Sequence, residues 1–207
     1  MKNLITAFIC FIFGLAICAA SAPKNITYKR AQNDVLYIQA GAYHGSGFQI
    51  KTDTGKVFLV TARHLCVDSP NGEIGVTTEN HKGKIKWLKI IAMDPISDTC
   101  VSEPLLDVKP FKLAKTLTHW EHVCSPGYPM QYGLSIFCGE VLGPQKLDMG
   151  PFWDTYIMVN NNVIGGNSGG PVLNNKLEVV GLVSLQDDNG LCGFTSFTRI
   201  KRFIEHI

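Results

Sequence analysis

Gly165-Gly166-Asn167-Ser168-Gly169-Gly170-Pro171 is the stretch on which the reading of this chain turns, set between the apolar runs Tyr156-Ile157-Met158-Val159 and Val172-Leu173. A serine hydroxyl is a poor nucleophile at neutral pH. A serine built to attack a carbonyl needs a base beside it and amide N–H groups aimed at the oxyanion that forms. Gly166, lacking a Cβ, allows its own N–H and that of Ser168 to face one small concavity. Gly169 and Gly170 leave room for a substrate. The plain alternative is a Gly/Asn/Ser hairpin loop without chemistry, which a motif alone does not exclude.

The sequence Gly-Asn-Ser-Gly-Gly-Pro resembles the nucleophile loop of trypsin-like serine proteases. With Asn before the serine it is similar to the bacterial high-temperature-requirement branch and its glutamyl-endopeptidase cousins. Two further segments support the resemblance. Lys56-Val57-Phe58-Leu59-Val60-Thr61 reads as a buried strand running into Thr61-Ala62-Arg63-His64, and a histidine at a strand end is held as a general base must be. Preceded by Gly45-Ser46-Gly47-Phe48, it is similar to the family's histidine segment. An imidazole that accepts the serine proton also needs a carboxylate to fix its tautomer. In Ile90-Ile91-Ala92-Met93-Asp94-Pro95-Ile96-Ser97-Asp98-Thr99-Cys100-Val101, two aspartates compete. Asp98 occupies the family's catalytic place, while Asp94, before Pro95, suits a turn former. The order His64, Asp98, Ser168 matches the trypsin-like order and neither the subtilisin nor the α/β-hydrolase order.

Composition fits such a chain. It has 207 residues, 45% hydrophobic and 17% charged, with net charge +2, enough for one globular unit or two small joined ones. Met1-Lys2-Asn3, the apolar residues 4–17 and Cys18-Ala19-Ala20 read as a secretory signal peptide cleaved after Ala20, leaving 18 basic against 17 acidic residues. The alternative is a retained anchor, with an apolar run short of the ~20 residues a spanning helix needs. Lys82-Gly83-Lys84-Ile85-Lys86-Trp87-Leu88-Lys89 alternates as a strand with a solvated face does, and nucleic acid is not expected as a partner. Cleavage leaves Cys66, Cys100, Cys124, Cys138 and Cys192, an odd number. Cys124 with Cys138, flanking a hairpin, is the first candidate disulfide and Cys66 with Cys100 the second, with Cys192 left over. The alternative is five buried thiols.

After a polar arm over residues 21–34, short β-type runs broken by Gly, Asn, Asp and Pro give an all-β pattern. The resemblance implies two antiparallel six-stranded β-barrels, residues 35–108 and 109–207, with the active site in the cleft between them. Residues 103–110 join the two halves. Residues 143–155 are expected as a loop. Ile200, Phe203 and Ile204 predict a C-terminal packing helix. His119-Trp120-Glu121-His122 has a His-x-x-His spacing but no second ligand pair nearby, so no metal is expected. No cofactor is expected either.

By resemblance, Ser168 is the nucleophile, His64 the base, Asp98 its orienting carboxylate, and the N–H groups of Gly166 and Ser168 the oxyanion hole. Asn162, Gln186 and Thr195 are expected around the substrate pocket. With no acid at its base, a preference for Lys or Arg is not expected; Glu, Gln or a small apolar residue is. The resemblance covers residues 35–205, with no appended peptide-binding domain expected. Asn167, unlike Asp, cannot pair with a freed amine, so activity without a zymogen cut is expected. The chain thus reads as a serine endopeptidase acting on protein or peptide, secreted or periplasmic, and touching membrane only if the leader is kept. The rival reading is a catalytically silent binding module on the same fold.

Overall fold

The computed structural model describes residues 25–149, 152–186 and 190–207. The expected leader, residues 1–20, lies outside them. Asn25–Asp34 (α1) leads into β1 (Val35–Ala40), β2 (Tyr43–Lys51) and β3 (Val57–Ala62), then the one-turn α2 (Arg63–Cys66). Next come β4 (Glu73–Thr77), β5 (Lys86–Asp94) and β6 (Thr99–Ser102). These strands close into a barrel in the order β1-β2-β3-β6-β5-β4, with every neighbouring pair antiparallel. Closure removes the free edges that an open sheet would expose. Period-two side-chain alternation places Leu36, Ile38, Leu59, Ile74, Val76 and Leu88 inside. On β5 the neighbours of Leu88, Trp87 and Lys89, face outward, the solvated face the sequence predicts.

The second half holds β7 (Lys112–Leu113), β8 (His122–Gly127), β9 (Ser135–Met149), β10 (Phe152–Val159), β11 (Pro171–Leu173), β12 (Glu178–Gln186) and β13 (Cys192–Ser196). Six of these run β11-β8-β9-β10-β13-β12, and the pairing of β11 with β12 closes them into a second barrel; β7 adds to β12 in parallel. The C-terminal α3 (Phe197–Ile204) follows, with Phe197, Ile200 and Ile204 buried at helical spacing. A further cluster joins the halves, where Phe48, Ile50, Phe111, Leu182 and Ile200 pack together. Each large side chain buried there contributes roughly 1.5–3 kcal/mol.

The connector between barrels is held along its length. Buried Gln49 donates from Nε2 to the carbonyls of Leu105 at 3.0 Å and Val108 at 2.6 Å, and its Oε1 accepts the N–H of Leu105. Buried Asp34, at the end of α1, accepts the N–H of Lys109 at 2.9 Å and pairs with Arg30 at 2.6 Å. Residues 25–34, expected within a polar arm, are thus a helix strapped to the connector.

One expectation is overturned. The loop expected over residues 143–155 is instead part of a long hairpin, in which β9 pairs with β10 from Val141↔Val159 to Met149↔Phe152. Gly143 and Pro144 read as loop punctuation, yet they sit inside β9 beside a register shift at Met158/Val159. A bulge tolerates glycine and a missing N–H. The disulfides join Cys66 to Cys100 and Cys124 to Cys138, leaving Cys192 a buried free thiol.

Candidate active site

Strand β3 is buried almost throughout and delivers His64 in the first turn of α2. The β5–β6 turn brings Asp98 to it. Asp94 folds that turn by accepting the N–H groups of Ile96 and Ser97 on its carboxylate, both at 3.1 Å, which is the turn-forming role its place before Pro95 suggests. Asp98 then sits at φ +46°, a left-handed conformation that costs a non-glycine residue roughly 1–2 kcal/mol. Its carbonyl accepts the N–H of Arg63 at 2.8 Å, its Oδ1 accepts the N–H of His64 at 3.0 Å, and its Oδ2 lies 2.8 Å from His64 Nδ1. An ionised carboxylate only accepts, so Nδ1 carries the proton and Nε2 is left basic. The His64 side chain is 44% exposed and that of Asp98 15%, so the ring is reachable while its partner is sheltered.

Ser168 lies on the loop between β10 and β11, pressed against the first barrel. The N–H of Ser46 donates to the Ser168 carbonyl at 2.8 Å. The buried Ser46 hydroxyl donates to the Gly166 carbonyl at 2.8 Å and accepts the N–H of Tyr128 at 2.9 Å. At Gly169, with φ +81°, a Cβ would stand 2.7 Å from the Ala62 nitrogen. Only glycine brings the residue beside Ser168 that close to the strand end that delivers His64. Sequence reasoning missed Ser46 as a joint between barrels, although it stands in the Gly-Ser-Gly-Phe segment.

Of the five amides from residue 166 to 170, three are used internally. Asn167 donates to Ile164 O at 3.1 Å, Gly169 to Val183 O at 2.7 Å and Gly170 to Asn167 O at 2.9 Å. Those of Gly166 and Ser168 have no acceptor among the described residues. Gly166 stands at φ +97°, where a Cβ would strike the Tyr128 carbonyl. The Asn167 side chain donates to Ile164 O at 3.0 Å, so the loop is braced from within.

The expected pocket residues divide. Asn162, at φ +47°, and Gln186 are exposed, with the Asn162 side chain beside Gly190. Thr195 is 1% exposed, and its hydroxyl donates to the carbonyl of Ser97 at 2.7 Å. It is thus placed behind Asp98 and not on an open wall. His119 packs on Gly143, whereas His122 Nε2 lies 3.9 Å from Cys124 Sγ, so the two histidines do not converge. His122, Cys124 and Cys138 do gather their donor atoms, but two of the three are bonded to each other. Burial pushes the Cys192 thiol up to about 12, which makes it a poor nucleophile at neutral pH.

A family model for the trypsin-like peptidase domain matches residues 45–182, from within β2 to beyond Ser168. The chain belongs to that family. This trypsin-like peptidase domain is 28% identical over 149 residues to a probable periplasmic serine endoprotease, DegP-like, of Chlamydia trachomatis, an alignment over 70% of this chain and 28% of the relative. It is 26% identical over 201 residues to an HtrA-like serine protease of Staphylococcus haemolyticus, over 90% of this chain and 30% of the relative. The chain therefore spans less than a third of either relative's length. Among solved structures, the inactive form of the Rv3671c protease superposes with a TM-score of 0.76 at 18% identity, over 89% of this chain and 94% of that one. Likeness at that identity speaks for the two-barrel fold alone. Among the described residues no helix is long and apolar enough to cross a membrane.

Proposed function

We propose that this trypsin-like peptidase domain is a serine endopeptidase, with halves 35–108 and 109–207 enclosing its site. The Ser168 hydroxyl attacks the scissile carbonyl carbon as its proton passes to Nε2 of His64. The new C–O bond leaves an oxyanion, which the N–H groups of Gly166 and Ser168 bind. As the C–N bond breaks, His64 returns the proton to the departing amine. Water then repeats the sequence on the acyl-enzyme and frees Ser168. Asp98 holds the ring in one tautomer and stabilises the imidazolium.

The observation that supports this reading best is the pair of amides, Gly166 and Ser168, left without acceptors among the described residues, while those of Asn167, Gly169 and Gly170 beside them are bonded. The names of the similar proteins agree with it. A protein or peptide is the proposed substrate, with Asn162 and Gln186 as pocket residues on the exposed side. Two disulfides suit an oxidising compartment outside the cytosol, in line with the leader-like residues 1–20 and the periplasmic designation of the chlamydial relative.

Labelling with a fluorophosphonate tests the reading, because it requires an activated serine and an oxyanion hole and little else. The wild type is expected to label, and Ser168→Ala and His64→Ala are not. A folded wild type that does not label sinks the enzyme and moves the weight to a silent binding module.

A further inference from the structure

Behind the candidate triad a hydroxyl bridges the two barrels. Thr195, on β13 of the second barrel, donates across the interface to the carbonyl of Ser97, on the β5–β6 turn of the first, at 2.7 Å. Its oxygen also lies 3.2 Å from the Ser184 hydroxyl on β12. Since the Thr195 proton goes to the carbonyl, Ser184 donates to Thr195. The three form a buried chain in which each bond polarises the next.

The Ser97 carbonyl belongs to the peptide plane whose other end is the nitrogen of Asp98. Turning that plane changes φ of Asp98, the angle held at +46°. A free aspartate relaxes to negative φ and would swing its carboxylate away from His64. The Asp94 carboxylate holds the amides of Ile96 and Ser97, and so the front of the turn. Arg63 N–H holds the carbonyl beyond Asp98. Neither grips the 97–98 plane; its carbonyl accepts the Thr99 hydroxyl at 3.0 Å from within the first barrel and, at the shorter 2.7 Å, the Thr195 hydroxyl from the second.

We propose that Thr195 is a positioning residue for catalysis, setting the Asp98 carboxylate against His64 from the opposite barrel. The inference rests on the protease reading above. It makes triad alignment depend on the seating of the two barrels, because the barrel that bears Ser168 also fixes the backbone of Asp98. Thr195 touches neither substrate nor reacting atoms.

The test compares full-length wild type, Thr195→Val, which keeps the shape and removes the donor, and Thr195→Ser, which keeps the hydroxyl. Readouts are fluorophosphonate labelling rate, kcat and KM on p-nitrophenyl acetate, and the downfield proton resonance shared by His64 and Asp98, assigned by its loss in Asp98→Asn. Thr195→Val is expected to lower labelling and kcat about 10- to 100-fold, the scale of a small misplacement of catalytic groups, with KM unchanged and the downfield proton moved or broadened. Thr195→Ser should restore all three. Should the valine variant not fold, Thr195→Ala is used in its place. Labelling within about twofold of wild type together with an unmoved proton overturns the proposal, as does equal loss in the serine variant. If the folded wild type neither labels nor turns over, the protease reading fails separately, and the proton resonance alone decides whether Thr195 places Asp98.

Discussion

The carbonyl of Gly165 accepts the N–H of Met130 at 2.9 Å, and this bond directs the amide of Gly166 away from it. In a trans peptide the C=O and the next N–H point in opposite directions, so tying down one aims the other. The carbonyl that could turn inward and occupy the Ser168 amide is thereby engaged elsewhere. Gly166→Ala places a side chain at φ +97° and against the Tyr128 carbonyl, so the plane must turn. We expect fluorophosphonate labelling to fall by about 100-fold or more, the scale of losing an oxyanion donor. Near-wild-type labelling by a variant with an unchanged melting profile would show that the hole is formed differently.

The two aspartates of the β5–β6 turn should separate cleanly. Asp98→Asn keeps the turn but can present an N–H to the ring, which favours the wrong tautomer, and kcat is expected to drop about 10⁴-fold. Asp94→Ala removes the acceptor for two amides and should cost about 1 kcal/mol or more of stability, with a smaller loss of rate. Urea midpoints beside labelling rates distinguish the two; a larger rate loss in Asp94→Ala would reverse the assignment.

The disulfides have unequal positions. Cys66–Cys100 closes 34 residues and joins the helix bearing His64 to the strand that follows Asp98, whereas Cys124–Cys138 closes 14 within one hairpin. Chain entropy puts the two at about 4 and about 3 kcal/mol. Paired Cys→Ser variants should therefore lose similar stability. Only the Cys66/Cys100 pair is expected to lose labelling rate in the fraction that remains folded.

Alkali should destabilise the fold through Cys192 and Tyr128, whose ordinary values are 9.0 and 10.0 and which burial raises, the thiol to about 12. A raised value means that the folded form holds the proton more tightly. The contribution is complete below about pH 9 for the thiol and is lost as pH rises from there towards 12. Urea midpoints should fall between pH 8 and pH 10.5, and less so in Cys192→Ala. At pH 8 the native Cys192 peptide should escape iodoacetamide, as read by mass spectrometry; rapid alkylation without unfolding would contradict the burial.

What the sequence disclosed is what local chemistry dictates. The loop around Ser168 and the strand end before His64 carry their glycines and apolar runs within a few residues of the reactive group. Asp98 was legible through the resemblance, whose pattern places the catalytic carboxylate there and leaves Asp94 to form the turn. Thr195 and Ser46 were not, since their partners, Ser97 and Gly166, lie 98 and 120 residues away and no periodicity records a bond across an interface. Residues 143–155 were read as loop because Gly and Pro mark turns as well as bulges. Residues 25–34 carry few apolar side chains at helical spacing, and the bonds of Arg30 and Asp34 to the connector have no local signature.

The grip of Gln49 and Asp34 on the connector has a further consequence for a molecule of this kind. Residues 103–110 would otherwise be an extended, surface-lying strip joining two compact halves, the shape a peptidase accepts along its cleft. With the carbonyls of Leu105 and Val108 and the amide of Lys109 engaged, that strip cannot be lifted into another copy's cleft without first opening locally. Given the proposed peptidase activity, these bonds are expected to protect the strip against self-digestion. Concentrated Gln49→Ala protein should nick itself within residues 103–110 while wild type stays whole, and Ser168→Ala in the same background should abolish the nick; equal survival of wild type and Gln49→Ala would mean that the halves guard their hinge by other means.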